Sequence, residues 1–235
     1  MSMPLPKHEI GVVAALVPEA AGFAARCAGA ARIGGMQVCV SGIGRERAAA
    51  ASRALVERGA RLLVSWGTAG ALAPGLAAGD LLVPRSVVAE GHEWMADAAW
   101  REWFGRTLAS GLPVAAGRLW CGGAAVVSVP EKARLAARDL AAADMESAAV
   151  ATVAGDAGVA FVAVKAICDP ADRGIPGAAL RLIGADGRLA SRDLPGGLRD
   201  LLCAGPAAWR NLLALRSDFA RARHTLRRAA LVLSR

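Results

Sequence analysis

Residues 159–172 read VAFVAVKAICDPAD, a long apolar stretch that ends in two aspartates. An apolar, β-branched run such as 159–167 is typical of a strand buried on both faces of a sheet. Asp169 comes directly after that run, at the edge of the predicted sheet. A carboxyl group there is partly removed from water, which favours its neutral form and suits a general acid. Aspartate is also common in such turns without any catalytic role.

Apolar runs alternate with alanine-rich helical segments along the rest of the chain. Strands are predicted at 10–16, 36–40, 61–65, 80–83 and 119–127, and helices at 45–58, after the capping sequence at 128–131, and at 144–155. This alternation predicts a three-layer α/β/α protein, in which helices cover both faces of a central mixed β-sheet. We expect a single domain over residues 1–235.

Three short segments are predicted to follow strands directly: 41–44 (SGIG), 67–70 (GTAG) and 168–169 (CD). In α/β sheets, ligands bind beyond the carboxyl ends of the strands, so these segments are expected to converge on one crevice. Their small residues would let backbone N–H groups approach a ligand, and Thr68 adds a hydroxyl. Because no G-x-G-x-x-G follows the first strand, a dinucleotide site is not indicated.

Two more acids are candidates for the same crevice. Glu19 stands shortly after the first predicted strand, and Glu146 lies in a D-M-E sequence near a predicted helix start. A carboxylate at a helix N-terminus is stabilised by the helix dipole, so Glu146 also has a purely structural interpretation.

In their order and spacing, these segments resemble the purine nucleoside phosphorylase and methylthioadenosine nucleosidase superfamily. The resemblance covers roughly residues 10–173 and rests on the acid after the first strand, SGIG, GTAGAL followed by AGDLLVP, DMESAAVA, and AICDPAD. It implies the phosphorylase-like fold and cleavage of a nucleoside N-glycosidic bond. Two segments resemble the hopanoid-associated branch of this superfamily: residues 168–180, CDPADRGIPGAAL, and the arginine-rich end of the chain. That likeness implies adenosylhopane, an adenosine joined at C5′ to a pentacyclic hydrocarbon, as the substrate.

The resemblance also implies roles around the base and the sugar. Asp169 matches the acid that protonates N7 of the departing adenine. Glu146 matches the carboxylate that binds the ribose 2′- and 3′-hydroxyls, with Met145 against the sugar. The phenylalanine that stacks on adenine in the nucleosidases is not found at 122–125, so Trp120 or another aromatic residue would take its place.

At the nucleophile site, Thr68 matches the hydroxyl residue, flanked by Gly67 and Ala69, where phosphate or water is held. Glu19 falls where the nucleosidases place the carboxylate that orients attacking water. Phosphorylases often carry an arginine three residues before the hydroxyl, where this chain has Ser65. Losing that cation weakens phosphate binding, because arginine forks hold phosphate well. Water and inorganic phosphate both stay open as the nucleophile, and no cofactor or metal is implied.

The net charge of +8 belongs to the end of the chain, because residues from 173 onward contain twelve Arg, four Asp and no Lys or Glu. A helix is predicted at 206–235, with an apolar stripe at helical spacing: Leu212, Leu215, Phe219, Ala222, Leu226, Ala229 and Leu233. Six arginines fall outside the stripe: Arg210, Arg216, Arg221, Arg223, Arg227 and Arg228. Such a helix either docks on its own domain or contacts a membrane surface or a partner helix.

The start of the chain shows no secretory signal, no apolar run reaches the roughly 20 residues of a membrane span, and the five cysteines are scattered. We therefore expect a cytoplasmic enzyme, peripheral on the inner face of the membrane if the basic helix touches lipid. Nucleic acid is not an expected partner, because the basic tail lacks interleaved aromatic residues. The resemblance implies a homo-oligomer. The alternatives are a soluble methylthioadenosine or adenosylhomocysteine nucleosidase and a non-catalytic nucleoside-binding module.

Overall fold

The computed structural model describes residues 6–23, 29–33, 35–175 and 205–234. Within them, eleven strands form one mixed sheet with helices on both faces, which confirms the predicted α/β fold. The strands are β1 Ile10–Ala14, β2 Gly29–Ile33, β3 Met36–Val40, β4 Leu62–Ala71, β5 Leu81–Leu82, β6 Ser86–Ala89, β7 His92–Met95, β8 Val114–Ala115, β9 Arg118–Cys121, β10 Ala142–Asp144 and β11 Ala160–Asp169. The helices are α1 Val17–Ala20, α2 Arg45–Glu57, α3 Ala98–Ala109, α4 Val129–Ala136, α5 Ser147–Asp156 and α6 Gly205–Ser234. Part of the 168–180 motif, residues 176–180, lies outside the described ranges.

The sheet order is β2-β3-β1-β4-β10-β9-β6-β7, with β11 pairing with both β4 and β5, and β8 beside β5. The long strand β4 organises the centre. Along one edge of β4, the first half pairs in parallel with β1, and the last two residues pair antiparallel with β10. Along its other edge, β4 pairs in parallel with β11. In the described residues, no strand pairs with residues 67–69 on the first edge, which leaves a gap between β1 and β10.

Two apolar cores cover the two faces of the sheet. On one face, α3 and α6 contribute large buried residues such as Trp100, Phe104 and Leu226. On the other face, alanines of α2 and α5 lie close to the strands. The predicted three-layer arrangement follows from this burial, because each helix hides one apolar stripe against the sheet.

The boundaries of three predicted elements were wrong in ways that matter for the site. β4 does not end at residue 65 but continues through the glycine-rich segment 67–70, so that segment is strand rather than loop. Asp144 does not begin a helix; it ends β10, and α5 begins only at Ser147. The strand predicted at 119–127 is much shorter, Arg118–Cys121.

Helix α6 docks on the sheet through the C-terminal half of its predicted stripe. Ala222, Leu226, Ala229 and Leu233 are buried, and α6 contacts β11 and α3. The six arginines that fall outside the stripe are exposed. No helix among the described residues has the length and apolarity needed to cross a bilayer.

Candidate active site

A cavity of about 420 Å³ opens at the gap between β1 and β10. The seven residues singled out from the sequence all line it: Glu19, Gly67, Thr68, Ala69, Met145, Glu146 and Asp169. They come from the α1 turn, the middle of β4, the β10–α5 junction and the end of β11. The expected convergence of distant segments is therefore present, although two of these segments are strand rather than loop.

The Glu19 carboxylate occupies the unpaired edge of β4. Its Oε1 accepts hydrogen bonds from the Thr68 backbone N–H at 2.9 Å and the Thr68 hydroxyl at 2.7 Å, and its Oε2 accepts from the Leu16 N–H at 3.0 Å. The side chain is buried. Burial raises the pKa of Glu19 above its ordinary value, against the hydrogen bonds from Thr68 and the positive charge of Lys165. Thr68 therefore directs both of its donors at Glu19.

Asp169 reaches the cavity because of an irregularity in β11. The pairing of Ile167 with Ala69 is followed by that of Asp169 with Gly70, so Cys168 is skipped. This register shift places the Asp169 carboxylate over Gly70, where a Cβ atom would lie 2.8 Å from Asp169 Oδ1. Gly70 thus provides the space that the carboxylate occupies.

Replacing Gly70 by alanine is expected to destabilise the fold by about 1–3 kcal/mol, because the new methyl group would overlap the buried Asp169 carboxylate. Denaturant titration measures the free energy of unfolding. Gly155→Ala is the matched control, since a Cβ there meets nothing within 4 Å and alanine is the better helix former in α5. If Gly70→Ala is as stable as the wild type, Asp169 is not held where the structure places it.

A buried lysine that the sequence analysis did not single out holds Asp169. Lys132, on α4, forms an ion pair with Asp169 Oδ2, and both side chains are almost completely buried. The Cys168 thiol lies 3.3 Å from the other oxygen, Oδ1, and donates to it; burial raises the pKa of that thiol, which keeps it neutral. The sequence analysis expected a carboxyl group that is partly removed from water, and the structure adds a buried cation as its partner.

Glu146 is held by the SGIG segment. Its Oε1 accepts a hydrogen bond from the Gly44 N–H at 2.9 Å, and Ile43 lines the cavity next to it. Burial, and next the negative charge of Asp144, raise the pKa of Glu146 to about 7, while Lys165 and the Gly44 hydrogen bond oppose them. The 41–44 segment therefore positions a carboxylate.

Lys165, in the middle of β11, is the second cation that the sequence analysis missed. Its Nζ lies 2.9 Å from Asp144 Oδ2 and donates to Ser65 Oγ at 3.0 Å. Burial lowers the pKa of Lys165, but the charges of Asp144 and Glu146 outweigh it and raise the pKa above its ordinary value. Ser65 stands where phosphorylases often carry arginine, and the adjacent strand supplies a cation to the same place.

Both missed residues had a signal in the sequence. Lys165 interrupts an otherwise apolar run that was predicted to be buried on both faces, and a buried lysine needs a partner. Only three of the 28 basic residues are lysines, Lys7, Lys132 and Lys165, and two of these line the cavity.

The wall at residues 124–126 is aliphatic. Ala124, Ala125 and Val126 line the cavity, whereas Trp120, the aromatic residue named as a replacement for the stacking phenylalanine, does not. Trp120 instead packs under the guanidinium of Arg138, 5.3 Å from its ring centre. Among the described residues, the aromatic side chains that line the cavity are Trp66 and Phe219.

Helix α6 closes one side of the cavity. The cavity is lined there by Leu212, Leu215 and Phe219, which belong to the first half of the stripe whose second half is buried against the sheet. The exposed Arg216, which lies outside the stripe, also lines the cavity. Ile175 adds another apolar contact from the end of the 168–175 segment. In the described part of the chain, no group of three or more His, Cys, Asp or Glu side chains could hold a metal ion.

A protein-family comparison matches most of the chain. The model of the phosphorylase superfamily matches residues 9–194. No curated protein sequence matches the chain significantly.

Several solved structures share the fold. The 5′-methylthioadenosine/S-adenosylhomocysteine nucleosidase of Neisseria meningitidis, in complex with methylthio-immucillin-A, matches with a TM-score of 0.69 and 19% identity over 96% of this chain and 98% of that one. The corresponding Helicobacter pylori nucleosidase matches with a TM-score of 0.67 and 17% identity over 94% of both chains. Futalosine hydrolase of Helicobacter pylori matches with a TM-score of 0.60 and 20% identity, over 69% of this chain and 85% of that one.

Proposed function

The chain belongs to the phosphorylase superfamily of nucleoside phosphorylases and nucleosidases, and we propose that it hydrolyses the N-glycosidic bond of adenosylhopane, which releases adenine and ribosylhopane. The observation that carries the proposal is the meeting of three carboxylates, Glu19, Glu146 and Asp169, in one cavity. Cleavage of an N-glycosidic bond needs an acid at the base and negative charge near the sugar, and this site offers both.

Asp169 acts at the base. Breaking the C1′–N9 bond sends its electron pair into the purine, and a purine that has gained a proton at N7 leaves more readily than an anion. Asp169 lines the cavity at the end of β11, with its carboxylate over Gly70. A positioned general acid typically accelerates a reaction by about 10²–10⁴-fold.

Glu146 acts at the sugar. Its carboxylate accepts hydrogen bonds from the ribose 2′- and 3′-hydroxyls, and Met145 packs against the ring. The positive charge that develops on the sugar as the bond breaks is stabilised by the negative charge of Glu146. The Gly44 N–H holds one carboxylate oxygen and so fixes the direction of the group.

Water is the nucleophile that the contacts of Thr68 favour. In a phosphate site, the Thr68 N–H and hydroxyl would point at an anion, but here both donate to the buried Glu19 carboxylate. A carboxylate at that place repels phosphate and accepts a proton from water. Water therefore attacks C1′ and passes its proton to Glu19, while Gly67 and Ala69 flank Thr68 on β4. Inorganic phosphate is the alternative co-substrate that the assay below tests.

The hydrocarbon part of the substrate is assigned to the side that α6 closes. Leu212, Leu215 and Phe219 offer an apolar wall that a 5′-hydrocarbon would cover, and such a contact is stabilised by about 25 cal/mol per Å² of apolar area buried. A small 5′-methylthio group would cover much less of this wall.

The test of the proposal is adenine release in detergent, from adenosylhopane and from methylthioadenosine, each with and without phosphate. We expect release from adenosylhopane in phosphate-free buffer. Release only with phosphate would make the protein a phosphorylase. Rapid turnover of methylthioadenosine without turnover of adenosylhopane would support the second candidate, a soluble methylthioadenosine or adenosylhomocysteine nucleosidase, which the fold shared with such nucleosidases favours. Binding of adenine nucleosides without any turnover would indicate a non-catalytic module.

The pH dependence of substrate binding should report the titration of Glu146. Because its pKa is raised to about 7 and the ionised carboxylate is the form that accepts both ribose hydroxyls, KM is expected to fall as the pH rises from 6 to 8. Glu146→Gln should raise KM about tenfold or more and remove this pH dependence. Steady-state kinetics across the pH range measure both effects. If the Glu146→Gln variant retains the same pH profile, another group titrates.

The exposed arginines of α6 are proposed to hold the enzyme on the cytoplasmic face of the membrane, where the substrate resides. Each basic side chain near an anionic surface contributes about 1 kcal/mol of attraction. We expect Arg223→Gln/Arg227→Gln to bind phosphatidylserine vesicles about 30-fold more weakly than wild type in a sedimentation assay. The matched control Arg53→Gln/Arg134→Gln removes two exposed charges elsewhere. Equal weakening by the two pairs would contradict a specific role for α6.

Deleting α6 would not test membrane contact, because its buried face is part of the core. A homo-oligomer remains the expected state, and light scattering of the purified enzyme measures it.

A further inference from the structure

Lys132 makes an unusual set of contacts beside the cavity. Its Nζ donates to the Asp169 carboxylate, to the carbonyl oxygen of Pro170 at 2.7 Å and to that of Arg173 at 2.9 Å. The side chain is 1% exposed, so no water replaces these partners. All three ammonium protons are directed at one turn of chain, the turn that carries Asp169.

The use of lysine here is itself informative. Nearly all basic residues of this chain are arginines, and Lys132 is one of only three lysines. A tetrahedral ammonium can place three protons on three acceptors around one point, whereas a guanidinium presents its donors in a flat fork. The contacts of Lys132 therefore match lysine specifically.

We propose that Lys132 is the positioning residue for protonation of the leaving group: it holds the Asp169 carboxyl group in place and stabilises the carboxylate that forms when Asp169 gives its proton to adenine. This inference rests on the proposed function. The step starts from the protonated Asp169 carboxyl group, whose Oδ2 accepts the hydrogen bond of Lys132. The Asp169 O–H bond then breaks, the N7–H bond forms, and the electron pair of the C1′–N9 bond passes to the purine. Negative charge on Asp169 grows during the step, so the neighbouring ammonium stabilises the transition state more than the bound substrate.

The placement of Lys132 makes its effect separable from ribose binding. In the described residues, the side-chain hydrogen bonds of Lys132 go to the 169–173 turn, whereas Glu146 is held by Gly44 and Glu19 by Thr68. Loss of Lys132 should therefore lower kcat and leave KM nearly unchanged. A residue that only supported the fold would not separate the two.

The first test compares two leaving groups in Lys132→Met. With the adenine nucleoside, kcat is expected to fall about 10²-fold with KM within about threefold of wild type. With 4-nitrophenyl β-D-ribofuranoside, whose leaving group departs without a proton, kcat should stay within about threefold. Arg134→Met, an exposed substitution on the same helix, is the control. Equal losses with both leaving groups would mean that Lys132 is merely structural.

The second test is a double-mutant cycle with Asp169→Asn, measured with the adenine nucleoside. Because Lys132 acts through Asp169, the double variant should turn over as slowly as Asp169→Asn alone. It carries no unpaired buried charge, so it remains informative if Lys132→Met alone does not fold. Independent, multiplying losses would overturn the inference. An Asp169→Asn variant with wild-type kcat would overturn the proposed function as well, whereas a slow Asp169→Asn beside a wild-type Lys132→Met would overturn only this inference.

Discussion

Asp169→Asn is expected to lower kcat for adenine release by about 10²–10⁴-fold, the range that a positioned general acid contributes. An asparagine has nearly the shape of an aspartate and fits over Gly70, but it carries no acidic proton for N7. KM should change little, because the ribose contacts are assigned to Glu146. Single-turnover and steady-state rates of adenine release measure the loss.

The control for this variant is Asp172→Asn, three residues along the same turn and exposed. It removes the same charge without touching the cavity and should keep the wild-type rate. Asp169→Asn also replaces the carboxyl partner of the buried Lys132 by an amide, and breaking a buried pair costs about 3–5 kcal/mol. Rates are therefore compared at a temperature where circular dichroism shows both variants folded. A folded Asp169→Asn with a rate near that of wild type would exclude Asp169 as the acid.

Glu19→Gln is expected to lower phosphate-independent turnover by about 10²–10³-fold. In the proposed hydrolysis, Glu19 is the carboxylate assigned to accept the proton of the attacking water, and the variant replaces it by a neutral amide. The amide also offers two N–H donors where Thr68 and Leu16 already provide donors, so one buried donor is left without an acceptor. The rate of adenine release in phosphate-free buffer measures the effect.

Glu57→Gln on α2, exposed to solvent, is the matched control for the loss of one carboxylate. Adding phosphate separates the two nucleophiles. If Glu19→Gln gains turnover with phosphate, removing the carboxylate has freed the Thr68 donors for an anion, in agreement with water as the natural nucleophile. A Glu19→Gln variant that hydrolyses at the wild-type rate would remove Glu19 from the mechanism.

The sequence by itself determined the fold class and pointed to three carboxylates that line one cavity. Apolar periodicity is a local property, so the buried run at 159–167 and the alternation of strands and helices could be seen without knowing their partners. The motifs at 67–70, 144–146 and 168–169 pointed to residues that the structure does bring to one cavity. The predicted ends of the strands were less accurate. Glycines at 67–70 indicate a turn as long as the strands that pair with this segment are unknown.

Only the tertiary structure decided the partners of the charged side chains. The ion pair of Lys132 with Asp169 joins residues 37 positions apart, and the hydrogen bond of Lys165 with Ser65 joins residues 100 positions apart. Such pairs depend on sheet register, and the skipped Cys168 in β11 is a shift that no local pattern predicts. In the same way, Thr68 was interpreted as a site for phosphate or water until the structure placed Glu19 on both of its donors. Local residue patterns set which groups are available, and long-range packing sets which of them meet, because a buried charge takes whichever opposite charge the folded chain brings within hydrogen-bond distance.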